Sequence, residues 1–367
     1  MIIENIRLRN FRNYTDCEVN LSQGINVFIG DNAQGKTNLL ESISFISATR
    51  SFRTNTDQDM IKCGEEFAQV VVAVRDGENQ LKLSGLIMNE GKQLSIQRQS
   101  VKRTSDFVGI LNAIVFAPDD LELFDGAPRI RRRLCDLEIG KVNKEYMRKL
   151  NLYQKTLKER NNFLKAPIDD DAYLEVLTDT LIDLQVFLID ERQKFINKMN
   201  EYISSLYQLL SNTDGAVRIE YLAPVEILPN TEAALKDKYR RNMDRDKIQK
   251  QTQIGIHKDD LEFYLDGHAV TAYASQGQRR MIVLAIKTAL IRYVYEKKGT
   301  YPVLLLDDVL SELDSERKRL LFTLVPRTVQ TVITTTDIDE VKEYLPLRSR
   351  IFRISNGMII DTQEMTR

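Results

Sequence analysis

Gly30-Asp31-Asn32-Ala33-Gln34-Gly35-Lys36-Thr37 sets two glycines, a lysine and a hydroxyl in the order G-x-x-x-x-G-K-[ST], an arrangement suited to holding phosphate. Backbone N–H groups of such a loop converge with those of a following helix on one spot, where the helix dipole is also positive. All eight residues are therefore candidates for binding nucleotide. Lys36 is expected to reach the β- and γ-phosphates as a catalytic group, and the Thr37 hydroxyl to ligate Mg²⁺. A phosphate loop also needs a carboxylate, and Val303-Leu304-Leu305-Leu306 runs into Asp307-Asp308. By itself that is more often a strand ending in a solvated turn. Beside a phosphate loop, Asp307 is expected to hold Mg²⁺ through its water shell, and Asp308 to polarise the attacking water.

Ser275-Gln276-Gly277-Gln278 precedes a strongly helical pattern, and Ser275 with Gln278 is sufficient for a capping box. The same stretch resembles the signature loop of ABC-type ATPases, with Ser275, Gly277 and Gln278 offered to the γ-phosphate of ATP held by another subunit. The two readings are compatible, because a capped helix keeps free donors. Ser311-Glu312-Leu313-Asp314 follows the paired acids, either as a helix start capped by Asp314 or as a loop that crosses a dimer interface. Arg50 and Arg53, beyond the phosphate-loop helix, are open to nucleotide, partner or solvent. His257, beside Asp259 and Asp260, reads better as a polar turn residue than as a metal ligand or base in a chain with two histidines.

The elements that must position these groups are legible as periods. Residues 2–8 alternate as a strand, a turn spans residues 10–14, and the apolar run 25–29 is a second strand. Leu39, Leu40, Ile43 and Ile46 give residues 36–47 one apolar helical face. Residues 67–97 read as an antiparallel meander with turns at Asp76-Gly77 and Glu90-Gly91. From about residue 129 the period is helical for some eighty residues. A stripe from Leu174 to Leu209, broken once near Glu191, predicts a single long helix of roughly 55 Å or a projecting coiled-coil hairpin. Residues 223–250 read as a connection out of that lobe. A strand at 261–265, a helix at 276–297, a strand at 302–306, a helix after Asp314 and a strand at 331–335 then predict a mostly parallel sheet covered by helices. The fold class is α/β: an ABC-type phosphate-loop ATPase head with a mixed sheet, interrupted by an inserted helical lobe. The expected segments are 1–125 and 251–367 for the ATPase lobe and 126–250 for the helical one.

With 367 residues, two lobes are expected. No run approaches a membrane span, so a cytoplasmic protein is expected. Cys17, Cys63 and Cys135 have no zinc or disulfide spacing and are expected to pack in a reducing compartment. A net charge of -1 leaves DNA binding to local asymmetry. Residues 129–165 carry twelve Lys or Arg against four acids, and residues 166–190 seven acids and no base. Arg131, Arg132, Arg133, Lys141, Lys144 and Arg148 are candidate phosphate contacts, the alternative being a solvated face paired with that acidic run.

Over essentially its whole length the sequence resembles the RecF family, through Asn10-Phe11-Arg12-Asn13-Tyr14, Phe116-Ala117-Pro118-Asp119-Asp120-Leu121, the Gly126 to Asp136 stretch and Gly255-Ile256-His257-Lys258-Asp259-Asp260-Leu261. The resemblance implies ATP-dependent dimers of slow hydrolysis that bind duplex and gapped DNA and act with RecO and RecR to load RecA recombinase. The sequence departs from the wider ABC pattern in three places. Thr335-Thr336-Asp337 stands where transporter subunits carry a histidine, Gln276 where glycine is commoner, and Asp308 where glutamate is usual. A transporter ATPase subunit, a small-molecule phosphate-loop kinase and a nucleotide-free scaffold are the rival readings.

Overall fold

The computed structural model describes residues 1–166, 170–227 and 230–365; Asp169, one of the seven acids counted above, lies outside them. In chain order the elements are β1 (Ile2–Phe11), β2 (Tyr14–Asn20), β3 (Ile25–Ile29), α1 (Lys36–Ala48), β4 (Phe67–Asp76), β5 (Asn79–Met88), β6 (Gly91–Ile96), β7 (Gln99–Ser100), α2 (Thr104–Phe107) and β8 (Ala113–Phe116). Next come α3 (Glu122–Asp125), α4 (Pro128–Val142), α5 (Lys144–Lys165), α6 (Asp171–Ser211), β9 (Val217–Leu222), α7 (Thr231–Gln249), β10 (Asp260–Leu265), β11 (His268–Ala269), α8 (Val270–Tyr273) and α9 (Gln276–Lys298). The chain ends with β12 (Val303–Asp307), α10 (Ser315–Leu324), β13 (Thr331–Thr335), β14 (Arg350–Ser355) and β15 (Met358–Glu364). Two compact units result, one of Met1–Leu121, Leu206–Asp214 and Arg280–Arg367, the other of Glu122–Ser205 and Gly215–Arg279.

The first unit holds two six-stranded sheets. One is antiparallel in the order β2-β1-β4-β5-β6-β7 and contains the expected meander. The other, β15-β14-β3-β13-β12-β8, is parallel except for β15. Helix α1 contacts β4 and β5 of the first sheet and β8, β12 and β13 of the second. Its sequence predicts one apolar face, yet the helix is buried nearly all round. The serines of its other face make this possible: Ser42 donates to the Leu39 carbonyl at 2.6 Å, and Ser47 accepts the Ala113 N–H at 2.9 Å. Packing is so close that a Cβ on Gly85 would stand 2.4 Å from the Phe45 ring. Cys17 is buried as expected, but Cys63 is exposed and packs no core.

In the second unit α6 is one helix of 41 residues, about 60 Å at 1.5 Å per residue. The break in its apolar stripe has a local cause. Glu191 accepts from Asn143 Nδ2 at 2.8 Å, and Asn143 in turn caps α5 by accepting the Tyr146 N–H at 3.0 Å. The connection expected over 223–250 is instead largely α7. That helix shows little apolar period because its exposed faces are laced by pairs three and four apart, Glu232–Lys236, Asp237–Arg240 and Asp237–Arg241. It is anchored by buried Leu235, Tyr239 and Asp246. A three-stranded antiparallel sheet, β11-β10-β9, completes the unit.

Buried charge organises this unit. Arg160 and Asp246 are both inaccessible to solvent and 2.8 Å apart, with Thr178 and Thr252 hydroxyls bonded to the same guanidinium at 2.9 and 2.7 Å. Asp246→Ala alone should cost about 3–5 kcal/mol by stranding a buried cation, whereas Arg160→Met with Asp246→Leu should cost far less. Urea unfolding of the three proteins by circular dichroism checks the order.

Candidate nucleotide site

The phosphate loop leaves β3 at Gly30, where a Cβ would come within 2.4 Å of the Ile354 carbonyl oxygen. It reaches α1 through Gly35, whose φ of 117° is left-handed and whose Cβ would meet the Asn13 side chain at 2.7 Å. Gly30 is thus required by its neighbour, and Gly35 by its neighbours and by its left-handed backbone. Asn13 Nδ2 donates to the Gln34 carbonyl at 2.9 Å, Asn13 Oδ1 accepts from Asn38 Nδ2 at 2.8 Å, and the Tyr14 hydroxyl donates to the Gly35 carbonyl at 3.0 Å. The turn between β1 and β2 therefore clamps the loop from outside. Asp31, Asn32 and Ala33 are exposed at its tip, and Ala33 is also left-handed at φ 65°.

Lys36 lies over the loop, its Nζ donating to the carbonyl of Gly30 and, at 3.0 Å, to that of Asp31. Burial pulls its pKa below the ordinary lysine value, and the carboxylates of Asp308, Asp307 and Asp31 oppose that shift. Thr37 Oγ1 donates to Asp307 Oδ1 at 2.8 Å, and Thr334 Oγ1 donates to the same oxygen at 2.8 Å. Burial raises the Asp307 pKa against those two hydrogen bonds. Asp308 follows with φ 53°, a left-handed conformation that costs a non-glycine residue energy. Its N–H is held by Thr334 Oγ1 at 3.0 Å, and burial raises its pKa although Lys36 pulls it down. One cleft is lined by residues 31–38, Arg53, Asp308 and Thr334. The structure therefore brings Lys36, Thr37, Asp307 and Asp308 together.

Arg53 is the functional candidate that the sequence leaves undecided. It donates to Asn38 Oδ1 at 2.7 Å and lies 3.5 Å from Glu41. The carboxylate of Glu41 is fully buried and takes the Arg12 guanidinium through both oxygens, at 2.8 and 2.7 Å. Arg12, Asn13 and Tyr14 thus support the loop from behind. Their signal was visible in the sequence as polar residues crowded into the first turn, but partners 21 to 29 residues away could not be assigned from spacing. Arg50 is exposed.

Ser275 and Gln278 form the reciprocal cap: the Ser275 N–H donates to Gln278 Oε1 at 2.8 Å, and the Gln278 N–H to Ser275 Oγ at 3.2 Å. Arg279 pins the turn through the carbonyls of Thr271 and Ala274 and through Asp125 at 2.7 Å. Residues 275–278 are all exposed, and a Cβ on Gly277 would meet nothing within 4 Å. Asp314 caps α10 by accepting the Arg317 N–H at 2.9 Å, while Glu312 pairs with Arg280 at 3.2 Å.

The basic candidates separate. Arg131 is buried, bonded to Asp260 at 2.7 and 2.8 Å and to the carbonyls of Leu123, Phe124 and Gly126. Lys141 is buried against Glu138 at 2.7 Å. Neither can reach a DNA phosphate, which corrects their assignment; a cation with its carboxylate already inside the unit is structural. Arg132 is half-buried and bonded to the Asp259 carbonyl, and Arg133 is half-buried. Lys144 and Arg148 are exposed. His257 has both ring nitrogens engaged: Nε2 donates to the Thr252 carbonyl at 3.1 Å, which leaves Nδ1 to accept from Tyr153 at 2.7 Å. Burial holds its pKa down at about 4, so the ring stays neutral.

The RecF/RecN/SMC N-terminal domain matches residues 2–358. The DNA replication and repair protein RecF of Lactobacillus johnsonii is 38% identical, over 98% of this chain and 99% of its own. The chain belongs to the RecF family. RecF of Bacillus pumilus is 36% identical, over 98% of this chain and all of its own. A solved structure of the recombination mediator protein RecF-ATP in the RecFOR pathway superposes with a TM-score of 0.90 at 30% identity, over 99% of both chains. An Smc head bound to the C-winged helix domain of ScpA shares the fold alone, with a TM-score of 0.56 at 16% identity, over 100% of this chain and 99% of its own. The protein is accordingly a RecF-type ATPase of DNA replication and repair, with the mixed α/β head expected. Among the described residues no helix is long and apolar enough to cross a membrane.

Asn13→Ala removes two hydrogen bonds that hold the phosphate loop and none to the core. At about 1 kcal/mol each, ATP affinity should fall by up to roughly thirtyfold with little change in melting temperature; titration of a fluorescent ATP analogue alongside thermal denaturation checks both.

Proposed function

We propose that the protein is an ATP-gated, dimeric DNA clamp that acts as a recombination mediator in the cytoplasm. Two ATP molecules would be sandwiched between residues 30–37 of one copy and Ser275, Gly277 and Gln278 of the other. Closure is then driven by ATP binding to the closed form, and hydrolysis releases it. The observation that carries the reading is Gly277. A glycine in the first turn of a helix costs stability relative to alanine, and nothing in its own chain requires it, since a Cβ there would stand in open space. Such a position suits close approach by another molecule, and the free N–H groups of a helix start suit an anion.

Mg²⁺ fits the donor set. Thr37 and Asp307 offer a hydroxyl and a carboxylate 2.8 Å apart, hard oxygens of the kind this ion shares with nucleotide phosphates rather than an all-protein cage. Mg²⁺ would neutralise phosphate charge there. Asp308, with its pKa raised by burial, would polarise and take a proton from the water that attacks the γ-phosphorus, while Lys36 would hold phosphate oxygens. Its short side chain fits slow turnover, as does a cycle whose output is motion. Duplex or gapped DNA, RecR and RecO are the partners this reading requires; it requires no membrane.

In sedimentation velocity, ATP with Mg²⁺ should shift the protein toward dimer, and Lys36→Met should abolish the shift; a dimer fraction unmoved by nucleotide overturns the clamp. Asp308→Asn should leave nucleotide-dependent dimerisation intact and slow phosphate release by about a hundredfold, measured in single turnover.

A further inference from the structure

Helix α5 carries a row of cations that the nucleotide chemistry does not use. Lys144, Arg148, Lys155, Lys158 and Lys165 are all exposed. At 3.6 residues per turn they fall within an arc of about 100° and extend over about 31 Å of helix. The two acids of α5 are engaged elsewhere, Glu145 with Lys149 at 3.4 Å and Glu159 with the Tyr173 hydroxyl at 2.6 Å. Four acidic residues of α6 are likewise directed to other cations. Asp171 pairs with Lys247 of α7 at 2.5 Å, Asp190 with Lys194 at 2.6 Å, and Asp179 and Asp183 lie in the field of Lys236. Among the described residues none of the five cations has an ion-pair or hydrogen-bond partner.

We infer that this face of α5 is a track for the phosphate backbone of duplex DNA, resting on the clamp reading above for the identity of the polyanion. Two observations select a duplex, and a third suits any phosphate backbone. The cations sit on one straight, continuous helix, so they form a rigid rail that matches a stiff double helix. The cationic arc of α5 itself carries no aromatic side chain on which unstacked bases could lie, as single-strand binders require: Tyr146 and Tyr153 are buried, and Phe163 packs edge-on against Tyr173 of α6, whose hydroxyl is held by Glu159. Asn151 and Asn162, exposed on the same arc, add neutral donors of the type that contacts phosphates. Such a rail positions DNA without reading its sequence.

The test uses the full chain and fluorescence anisotropy on a labelled duplex across a salt series. Lys144→Gln, Arg148→Gln, Lys155→Gln and Lys158→Gln combined should weaken duplex binding at least about tenfold and flatten the log–log salt slope by about 3.6. The change Arg240→Gln with Arg241→Gln, which removes two exposed charges from α7, should leave both values as they are. ATP-dependent dimerisation of the fourfold variant should be unchanged. If that variant does not fold, Lys155→Gln with Lys158→Gln should still flatten the slope by about two. A variant with the parental slope overturns the track and leaves the clamp standing. A loss confined to single strands also overturns the track, and a parent protein that binds no duplex at any salt overturns both.

Discussion

The carboxylate of Asp307 ties the active half of the molecule together. One of its oxygens takes hydroxyl hydrogens from Thr37 at the start of α1 and from Thr334 on β13, and its own strand, β12, pairs with β13 in a register that sets Asp307 opposite Thr334. Three elements far apart in sequence therefore meet at one acid. The burial that raises its pKa also makes each of these bonds stronger than it would be in water. The same β13 hydroxyl holds the Asp308 N–H, so the geometry of the second acid is inherited from the first.

That constraint explains which parts of the site were legible. Gly30, Gly35, Lys36 and Thr37 are contiguous, and their types state their chemistry, because a loop that wraps phosphate needs its donors at fixed offsets. Asp307 and Asp308 could be placed because, beside a phosphate loop, an apolar run ending in acids reads as a buried parallel strand meeting its C-terminal edge. Asn13, Tyr14, Glu41 and Thr334 were illegible for the opposite reason. They act by supporting other groups across long separations, and a lone asparagine or threonine has no local signature of that work.

In the fold, the misses share a cause. Helix α7 hides its period because surface ion pairs, not an apolar stripe, cover most of it. Strands β8 and β14 extend the parallel sheet on either side, and each is only four to six residues long, too short to fix its neighbour in the sheet although turn residues follow both, Pro118 after β8 and Asn356-Gly357 after β14. The segment 255–261, read from the sequence as a polar turn and a family feature, proves to be a hub inside the second unit. The Ile256 carbonyl and Asp259 receive Arg192, Asp260 receives Arg131, and His257 bridges Tyr153 and Thr252.

The basic residues of α4 and α5, with Arg192 of α6, can then be sorted by physical type. The cations drawn inside are mainly arginines: Arg131, Arg160 and Arg192 each spread several hydrogen bonds over carboxylates, hydroxyls and carbonyls. A planar guanidinium is weakly hydrated and offers five donors in a fixed fork, so it satisfies several buried oxygens at once. Lysine, a strongly hydrated point charge, is expelled: Lys144, Lys155, Lys158 and Lys165 are all at the surface, and Lys141 is the exception, matched to a buried Glu138. A charge block that looks uniform in sequence is thus two populations. Counting positive charge across residues 129–165 overstates what any polyanion could meet, whereas weighting lysine above arginine at helical spacing isolates the exposed face of α5.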